Sequence, residues 1–159
     1  MEKHPLDKGS FWIIVVASVL FLSASLYDFY VLHWTLYEAK KWYYVGIVLF
    51  IAGYALRLTS RILLHKQFSV FVALQKEHKL ITTGIYKYVR HPIYTAGIIS
   101  FVGFILITNS FLGLVTGLLL VFPALLYRIH VEEQMLIAHF GDEYVEYKKK
   151  VKALIPWII

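Results

Sequence analysis

A polar block at residues 84–94 interrupts an otherwise apolar chain, and it ends with Arg90, His91 and Pro92 at the start of an apolar stretch. Ionisable groups beside a membrane segment are costly, so their presence suggests a binding site. Pro92 suits the first turn of a helix, where its missing N–H costs nothing. The free N–H groups that follow, near Ile93 and Tyr94, would point towards the block with the positive end of the helix dipole. We predict that a carboxylate or other anion binds at this helix start, with Arg90 and His91 as further donors. Simple anchoring of Arg90 and the tyrosines among lipid headgroups is the alternative.

A second charged cluster, Arg128 with Glu132 and Glu133, follows the last apolar stretch. Arg128 and Glu132 are four residues apart and therefore share one helix face, with His139 further along it. Glu132 and Glu133 would project about 100° apart, so they do not form a paired acid/base dyad. A carboxylate at the mouth of a helical bundle suits an ammonium group or a ribose diol. The alternative is a surface ion pair worth about 0.3–0.5 kcal/mol.

Several other kinds of site are not supported. The chain has no cysteine, which excludes disulfides, thiolate nucleophiles and cysteine-ligated metals. Its seven histidines show no metal-binding spacing, and neither a dinucleotide-binding nor a phosphate-binding glycine motif occurs. The net charge is +6, but the basic residues flank apolar segments, which favours anionic membrane lipids over nucleic acid. We therefore expect no metal and no nucleic acid.

The elements that would position these residues are membrane helices. Of the 159 residues, 59% are hydrophobic and 16% are charged, against about 45–50% and about 25% in soluble domains. We predict an all-α integral membrane protein, a single domain over residues 1–159. Its four transmembrane helices are predicted at 10–27, 42–58, 92–108 and 110–127.

The connections carry further expectations. Residues 59–75 could add a fifth membrane element, because 60–66 would extend the second helix and 68–74 suits a short strand or a re-entrant segment. After the fourth span we predict a helix over 128–140, ended by Gly141, and a short amphipathic helix over 142–151 that covers the site. Segments 78–94 and 128–147 would then form the site.

Orientation follows from the basic residues. Fourteen of the 16 Lys and Arg residues lie in the two tails or between the second and third spans. The positive-inside rule therefore places both termini and both charged clusters in the cytoplasm. The first apolar run, after Lys3 and Lys8, could also be a cleavable signal peptide, but we expect it to be a retained span.

The charged clusters and their surroundings resemble isoprenylcysteine carboxyl methyltransferases and the related phospholipid N-methyltransferases. The similarity covers about the C-terminal half of the chain. It comprises HKLITTGIY at 78–86, RHPIY at 90–94, RIHVEE at 128–133 with Leu136, FGDEYVEY at 140–147, and Pro156.

This resemblance implies a membrane methyltransferase that uses S-adenosyl-L-methionine and acts on a lipidic or prenylated small molecule. The residues it places at the cofactor are His78, Lys79, Leu80, Ile81, Tyr86, His91, Pro92, Ile93, Tyr94 and Glu132, beside Arg90 from the analysis above. Arg128 would face the substrate as a catalytic residue, holding a carboxylate acceptor in a bidentate pair. An amine acceptor would first need to lose a proton, and Glu133 or a histidine would be its base.

Other functions remain open at this point. A phospholipid amine could replace the carboxylate as methyl acceptor. The C-terminal half also resembles that of membrane sterol reductases, which bind a nicotinamide nucleotide but carry many more spans. Small residues recur in the third and fourth spans at Gly97, Gly103, Gly113 and Gly117, and we expect them to let helix backbones approach closely. The spacing of Gly113 and Gly117, together with the basic tail, also suggests a non-enzymatic scaffold.

Overall fold

The computed structural model describes residues 9–64 and 80–156. These residues form five helices and a short 3₁₀ turn, Gly84–Lys87. The helices are α1 (Gly9–Leu32), α2 (Lys41–Leu64), α3 (Pro92–Thr108), α4 (Phe111–Phe140) and α5 (Asp142–Lys150). Within the described ranges, extended pairing is limited to two isolated bridges, Thr35 with Ser110 and Val89 with Lys152. The all-α prediction is confirmed.

Three helices are long and apolar enough to cross a membrane: α1 and α2 with 24 residues each and α4 with 30. Helix α3 is apolar but has only 17 residues, which is at the lower limit of about 17 for a spanning helix. The protein is therefore a multi-pass integral membrane protein. Residues 59–64 continue α2 as expected, whereas the rest of the possible fifth element, including 68–74, lies outside the described residues.

The helices are arranged as two pairs. Helix α2 packs closely along α3, and α1 packs along α4, while α3 makes few contacts with α1 or α4. A Cβ added to Gly103 would lie 2.6 Å from the Phe50 nitrogen, so glycine permits the close approach within the first pair. The loosely packed region between the two pairs contains a large cavity.

Glycines in the predicted small-residue pattern have two different roles. Cβ atoms at Gly113 and Gly117 would overlap with Ser25 and the Phe101 ring, so these glycines do serve close packing, as predicted. The same interpretation is wrong for Gly97. A Cβ there would meet nothing within 4 Å, because Gly97 lines the cavity.

Helix α4 joins the fourth predicted span to the helix predicted over 128–140 in one continuous element. A π-helical turn at Gly117–Val121 precedes Pro123, whose ring nitrogen cannot donate to the preceding turn. Gly141, with φ of 57°, ends α4 as predicted. Helix α5 ends at Lys150, one residue earlier than expected.

The two ends of the bundle differ in chemistry. The start of α3 lies at the same end of the bundle as the start of α1 and the end of α2. We call this end of the bundle the site end. At the opposite end Asp28 is buried and accepts hydrogen bonds from Ser110 Oγ (2.6 Å), the Leu112 N–H (2.8 Å) and the Trp34 N–H (2.9 Å). These bonds join the end of α1 to the tight α3–α4 turn, where Asn109 adopts φ of 50°.

Candidate active site

A cavity of about 790 Å³ lies between the two helix pairs and extends to the site end. Its walls deeper in the bundle are apolar side chains of α1, α3 and α4, such as Leu22, Ile105 and Leu114. At the site end its walls carry arginine, histidine, tyrosine and glutamate side chains. The cavity therefore has a polar compartment and an apolar compartment.

Most of the predicted site residues meet in this cavity. Those that line it are Leu80, Ile81, Tyr86, Arg90, His91, Pro92, Ile93, Tyr94, Arg128 and Glu132. Glu133 is not among the described lining residues and lies behind the wall. His78 and Lys79 lie outside the described residues.

Tyr94 connects Arg128 and Glu132, the two charged residues that were expected to share a helix face. The Tyr94 hydroxyl donates to Glu132 Oε2 at 2.6 Å, and Arg128 Nε donates to the same hydroxyl oxygen at 3.0 Å. Arg128 Nη1 also donates to Ser10 Oγ at 3.1 Å, and Arg128 is only 6% exposed. Arg128 is thus a buried, oriented cation in the cavity wall, and the surface ion pair considered from the sequence is wrong.

Glu133 faces away from the cavity into a buried ionic cluster. Its Oε1 accepts from Arg90 Nη2 at 2.5 Å and Nε at 2.9 Å, and it lies 3.2 Å from His91 Nε2. Its Oε2 accepts from Lys148 Nζ at 2.6 Å. Because adjacent helix residues diverge by about 100°, Glu132 faces the cavity while Glu133 holds Arg90 and His91 against α4 and α5. As expected from helix geometry, the two carboxylates point in different directions and bind different partners.

The start of α3 offers fewer free donors than expected. The Tyr94 N–H donates to the His91 carbonyl at 3.0 Å, so it is not free for a ligand. The Ile93 N–H has no acceptor within the described part of the chain, and Ile93 lines the cavity beside Pro92. The Ile93 N–H is therefore the backbone donor at this helix start that the predicted anion would meet.

The C-terminal segment 151–154 supports the site from outside, which the sequence did not reveal. The N–H groups of Arg90 and His91 donate to the carbonyls of Lys152 and Ala153 at 2.8 and 2.9 Å. Arg90 Nη1 also donates to the Val151 carbonyl. These bonds hold the loop that carries Arg90 and His91. Backbone pairing of this kind leaves no residue-type signal in a sequence.

Three buried tyrosines close the polar compartment. The Tyr147 hydroxyl donates to the Tyr86 carbonyl at 2.5 Å, and burial raises the pKa of Tyr147 to about 12. Burial likewise raises the pKa of Tyr86 and Tyr144 well above the usual value of a phenol. All three side chains are therefore neutral donors near pH 7. Of the three, Tyr144 and Tyr147 lie in the predicted site segment 128–147, although neither was predicted individually as a site residue.

Comparison with known proteins gives one family and several relatives. The family model described as phospholipid methyltransferase matches residues 42–143. The protein-S-isoprenylcysteine O-methyltransferase of Schizosaccharomyces pombe is 37% identical over 108 residues, covering 67% of this chain and 46% of the relative. That of Saccharomyces cerevisiae is 36% identical over 116 residues, covering 72% and 48%.

A solved structure has the same fold. The eukaryotic intramembrane Ras methyltransferase, an isoprenylcysteine carboxyl methyltransferase, superimposes with a TM-score of 0.67 at 25% identity. The match covers 91% of this chain and 52% of that one. The chain thus spans about half the length of this structure and of the two yeast relatives.

Proposed function

The chain belongs to the phospholipid methyltransferase family, and we propose that it is a membrane methyltransferase. It transfers the methyl group of S-adenosylmethionine to the carboxylate of a lipidic acceptor such as an isoprenylated cysteine. The supporting observation is the cavity of about 790 Å³ that is polar at the site end and apolar deeper in the bundle. Such a cavity can hold a polar cofactor and a lipid tail in contact with each other.

The polar compartment fits the cofactor chemically. The cavity volume lies within the range of about 300–1,000 Å³ that is usual for small-molecule sites. Glu132 presents a carboxylate that is 29% exposed, which suits an ammonium group or ribose hydroxyls. The Ile93 N–H and the helix dipole of α3 suit a carboxylate. When bound, the cofactor supplies a methyl group that is already activated by its sulfonium.

The residues of the chain need only bind, orient and exclude water. Arg128, held by Tyr94 and Ser10, would orient the acceptor carboxylate towards the methyl group. Correct positioning of two reactants can contribute about 7–11 kcal/mol. A carboxylate is already a nucleophile and needs no general base. Under this proposal Glu133 acts by positioning Arg90 and His91 and not as the base that an amine acceptor would require.

The apolar compartment would hold the lipid tail of the acceptor. It extends along α3 as far as Ile105, roughly 20 Å from Pro92 at about 1.5 Å per residue. Its walls are apolar, and the surrounding helices expose large hydrophobic side chains to the membrane. A lipid tail in this compartment would leave its head beside Arg128.

An amine acceptor is the second candidate, because the matching family model is described as phospholipid methyltransferase. The charges in the cavity favour an anionic acceptor instead. Its described lining includes four arginines, namely Arg57, Arg61, Arg90 and Arg128, against one carboxylate, Glu132. Even with the charge of Arg90 compensated by Glu133, the arginines of the lining outnumber its carboxylate. Such a lining attracts a carboxylate and repels a protonated amine.

The test supplies radiolabelled S-adenosylmethionine to the purified protein with a farnesylated cysteine or with phosphatidylethanolamine vesicles. We expect label on the farnesylated cysteine, released as methanol by mild base because it is a methyl ester. The same compound with its carboxyl group blocked as an amide is the control and should stay unlabelled. Base-stable label in the phospholipid would replace this proposal with amine methylation.

Binding measurements address the other classes of function. Calorimetry should show binding of S-adenosylhomocysteine and none of NADPH. Tight binding of NADPH alone would support a reductase. Absence of binding by both would support a scaffold.

We also propose that the site end and both termini are cytoplasmic, since 14 of the 16 Lys and Arg residues would then lie inside. The absence of cysteine makes this easy to test with single exposed cysteines in intact cells. Glu38→Cys should react with a membrane-impermeant maleimide, whereas Thr83→Cys should react only after lysis. The reverse pattern would invert the proposed orientation.

A further inference from the structure

The ring of Phe101 reaches across the gap between the two helix pairs, inside the apolar compartment. Phe101 belongs to α3, yet its ring centroid lies 3.9 Å from that of Phe21 on α1, with the two planes 30° apart. A Cβ added to Gly117 on α4 would overlap with the tip of the same ring. One aromatic side chain of α3 therefore contacts both helices of the other pair.

These two contacts cover only part of the Phe101 ring. Phe21, which is 3% exposed, is nearly stacked on one face of it, and Gly117 meets its edge. Phe101 nevertheless remains only partly buried and lines the cavity. The second face of the ring therefore borders the cavity, while the first face and the edge hold the ring in place.

The ring lies at the depth that the far part of a lipid tail would reach. Phe101 follows Pro92 by nine residues, which is about 14 Å along α3. Gly117 precedes Arg128 by eleven residues, which is about 16 Å along α4. The cavity continues past the ring by one turn, to Ile105. An acceptor whose carboxylate is held at Arg128 would therefore lay the end of its tail beside this ring.

We infer that Phe101 determines the length of the lipid tail that the protein accepts, with the cavity-facing side of its ring against the far part of the tail. This rests on the proposed function. Gly97, one turn nearer the site end, presents no side chain to the cavity, so the compartment is wide there and narrows at the Phe101 ring. A longer tail must pass through this narrow part, and apolar pockets discriminate between ligands by such differences in room.

Two substitutions change the room at the ring in opposite directions. Phe101→Ala removes the ring. Gly117→Ala adds a methyl group that overlaps with the ring tip, and because Phe21 blocks one face, the ring has to move into the cavity. The experiment measures kcat/KM with N-acetylcysteine carrying a geranyl, a farnesyl or a geranylgeranyl group. We expect the ratio of kcat/KM for the longest to the shortest acceptor to rise about tenfold in Phe101→Ala and to fall about tenfold in Gly117→Ala, as for room gained or lost for one methylene group.

Phe104→Ala is the matched control. Phe104 is the same residue type, three positions further along α3, and its ring also contacts that of Phe21, at 5.7 Å. It is not among the described lining residues of the cavity. This change should lower the unfolding temperature and leave the length ratio unchanged. If Phe101→Ala does not fold, Phe101→Leu, which keeps an apolar side chain but lacks the ring, should raise the ratio in the same direction.

The outcomes separate this inference from the proposed function. A folded Phe101 variant that methylates the acceptors with an unchanged length ratio would overturn the inference. So would an equal change of the ratio in Phe104→Ala, since the ratio would then follow helix packing in general. If the unmodified chain methylates none of the three acceptors, it is the proposed function that fails.

Discussion

Replacing Glu132 or Glu133 by glutamine should show that one of these adjacent carboxylates serves ligand binding and the other serves the stability of the fold. Glu132→Gln and Glu133→Gln are the same chemical change, one residue apart on α4. Glu132 faces the cavity and accepts from one protein hydroxyl, that of Tyr94. Glu133 is buried and is bound by three basic side chains, Arg90, His91 and Lys148. We expect the first change to weaken cofactor binding and the second to destabilise the fold.

The magnitudes follow from burial. The side chains of Arg90 and Glu133 are 7% and 8% exposed, so removing the negative charge leaves a buried guanidinium without its counter-charge. Breaking one partner of such a pair costs about 3–5 kcal/mol, and the amide, which keeps one acceptor oxygen, should be near the lower value. For a chain of this size, 3 kcal/mol corresponds to roughly 6–12 °C in unfolding temperature. Glu132→Gln should cost about 1 kcal/mol or less, because only one hydrogen bond is weakened.

Thermal unfolding in detergent and calorimetry with S-adenosylhomocysteine measure the two effects on the same samples. Glu132→Gln should lower affinity at least about 10-fold, as expected for loss of a charge-assisted hydrogen bond of 1.5–3 kcal/mol. If Glu133→Gln left the unfolding temperature unchanged but abolished turnover, the buried-cluster interpretation would be refuted. Glu133 would then be better explained as the base predicted for an amine acceptor.

Three further substitutions probe other parts of the site. Arg128→Lys keeps the charge but loses the planar pair of donors. We therefore expect kcat/KM for a carboxylate acceptor to fall about 10- to 100-fold in the radiolabel assay. An unchanged kcat/KM would show that Arg128 does not bind the substrate. Gly97→Leu places a side chain in the open cavity. It should raise KM for a farnesylated acceptor about tenfold without lowering the unfolding temperature. Loss of folding would instead mean that Gly97 is needed for helix packing. Thr95→Val removes the 2.7 Å bond from Thr95 to the Leu154 carbonyl. It should lower the unfolding temperature by roughly 2–4 °C for about 1 kcal/mol, and no change would show that this bond does not secure the C-terminal segment.

The residue types that form the cavity wall could be found from the sequence because their positions follow from helix geometry. Pro92 marks a helix start, and the four-residue spacing of Arg128 and Glu132 places both on one face. The divergence of Glu132 and Glu133 follows from the same geometry. Local rules of this kind need no knowledge of the tertiary fold.

Other features depend on tertiary contacts that no local pattern encodes. Segment 151–154 is tied to Arg90 and His91 mainly through backbone groups, which every residue type possesses. Gly97 and Gly113 look alike in sequence, yet one faces the cavity and the other faces Ser25. Which role a glycine has depends on the rotation of its helix against its neighbours, and an apolar membrane helix gives little polarity contrast from which to read that rotation.

The arrangement of the two carboxylates also implies that the polar compartment is organised before any ligand enters. Arg90 and His91 are held from behind by Glu133, and Arg128 is held from the side by Tyr94 and Ser10. Ordering a side chain when a ligand binds costs about 0.5–1.5 kcal/mol. Side chains that the folded protein already holds in place do not add this cost to ligand binding. Groups that are fixed in advance stabilise a reacting geometry without reorganising. Destabilising the buried cluster should therefore impair ligand binding through disorder of the wall, even though Glu133 itself does not line the cavity.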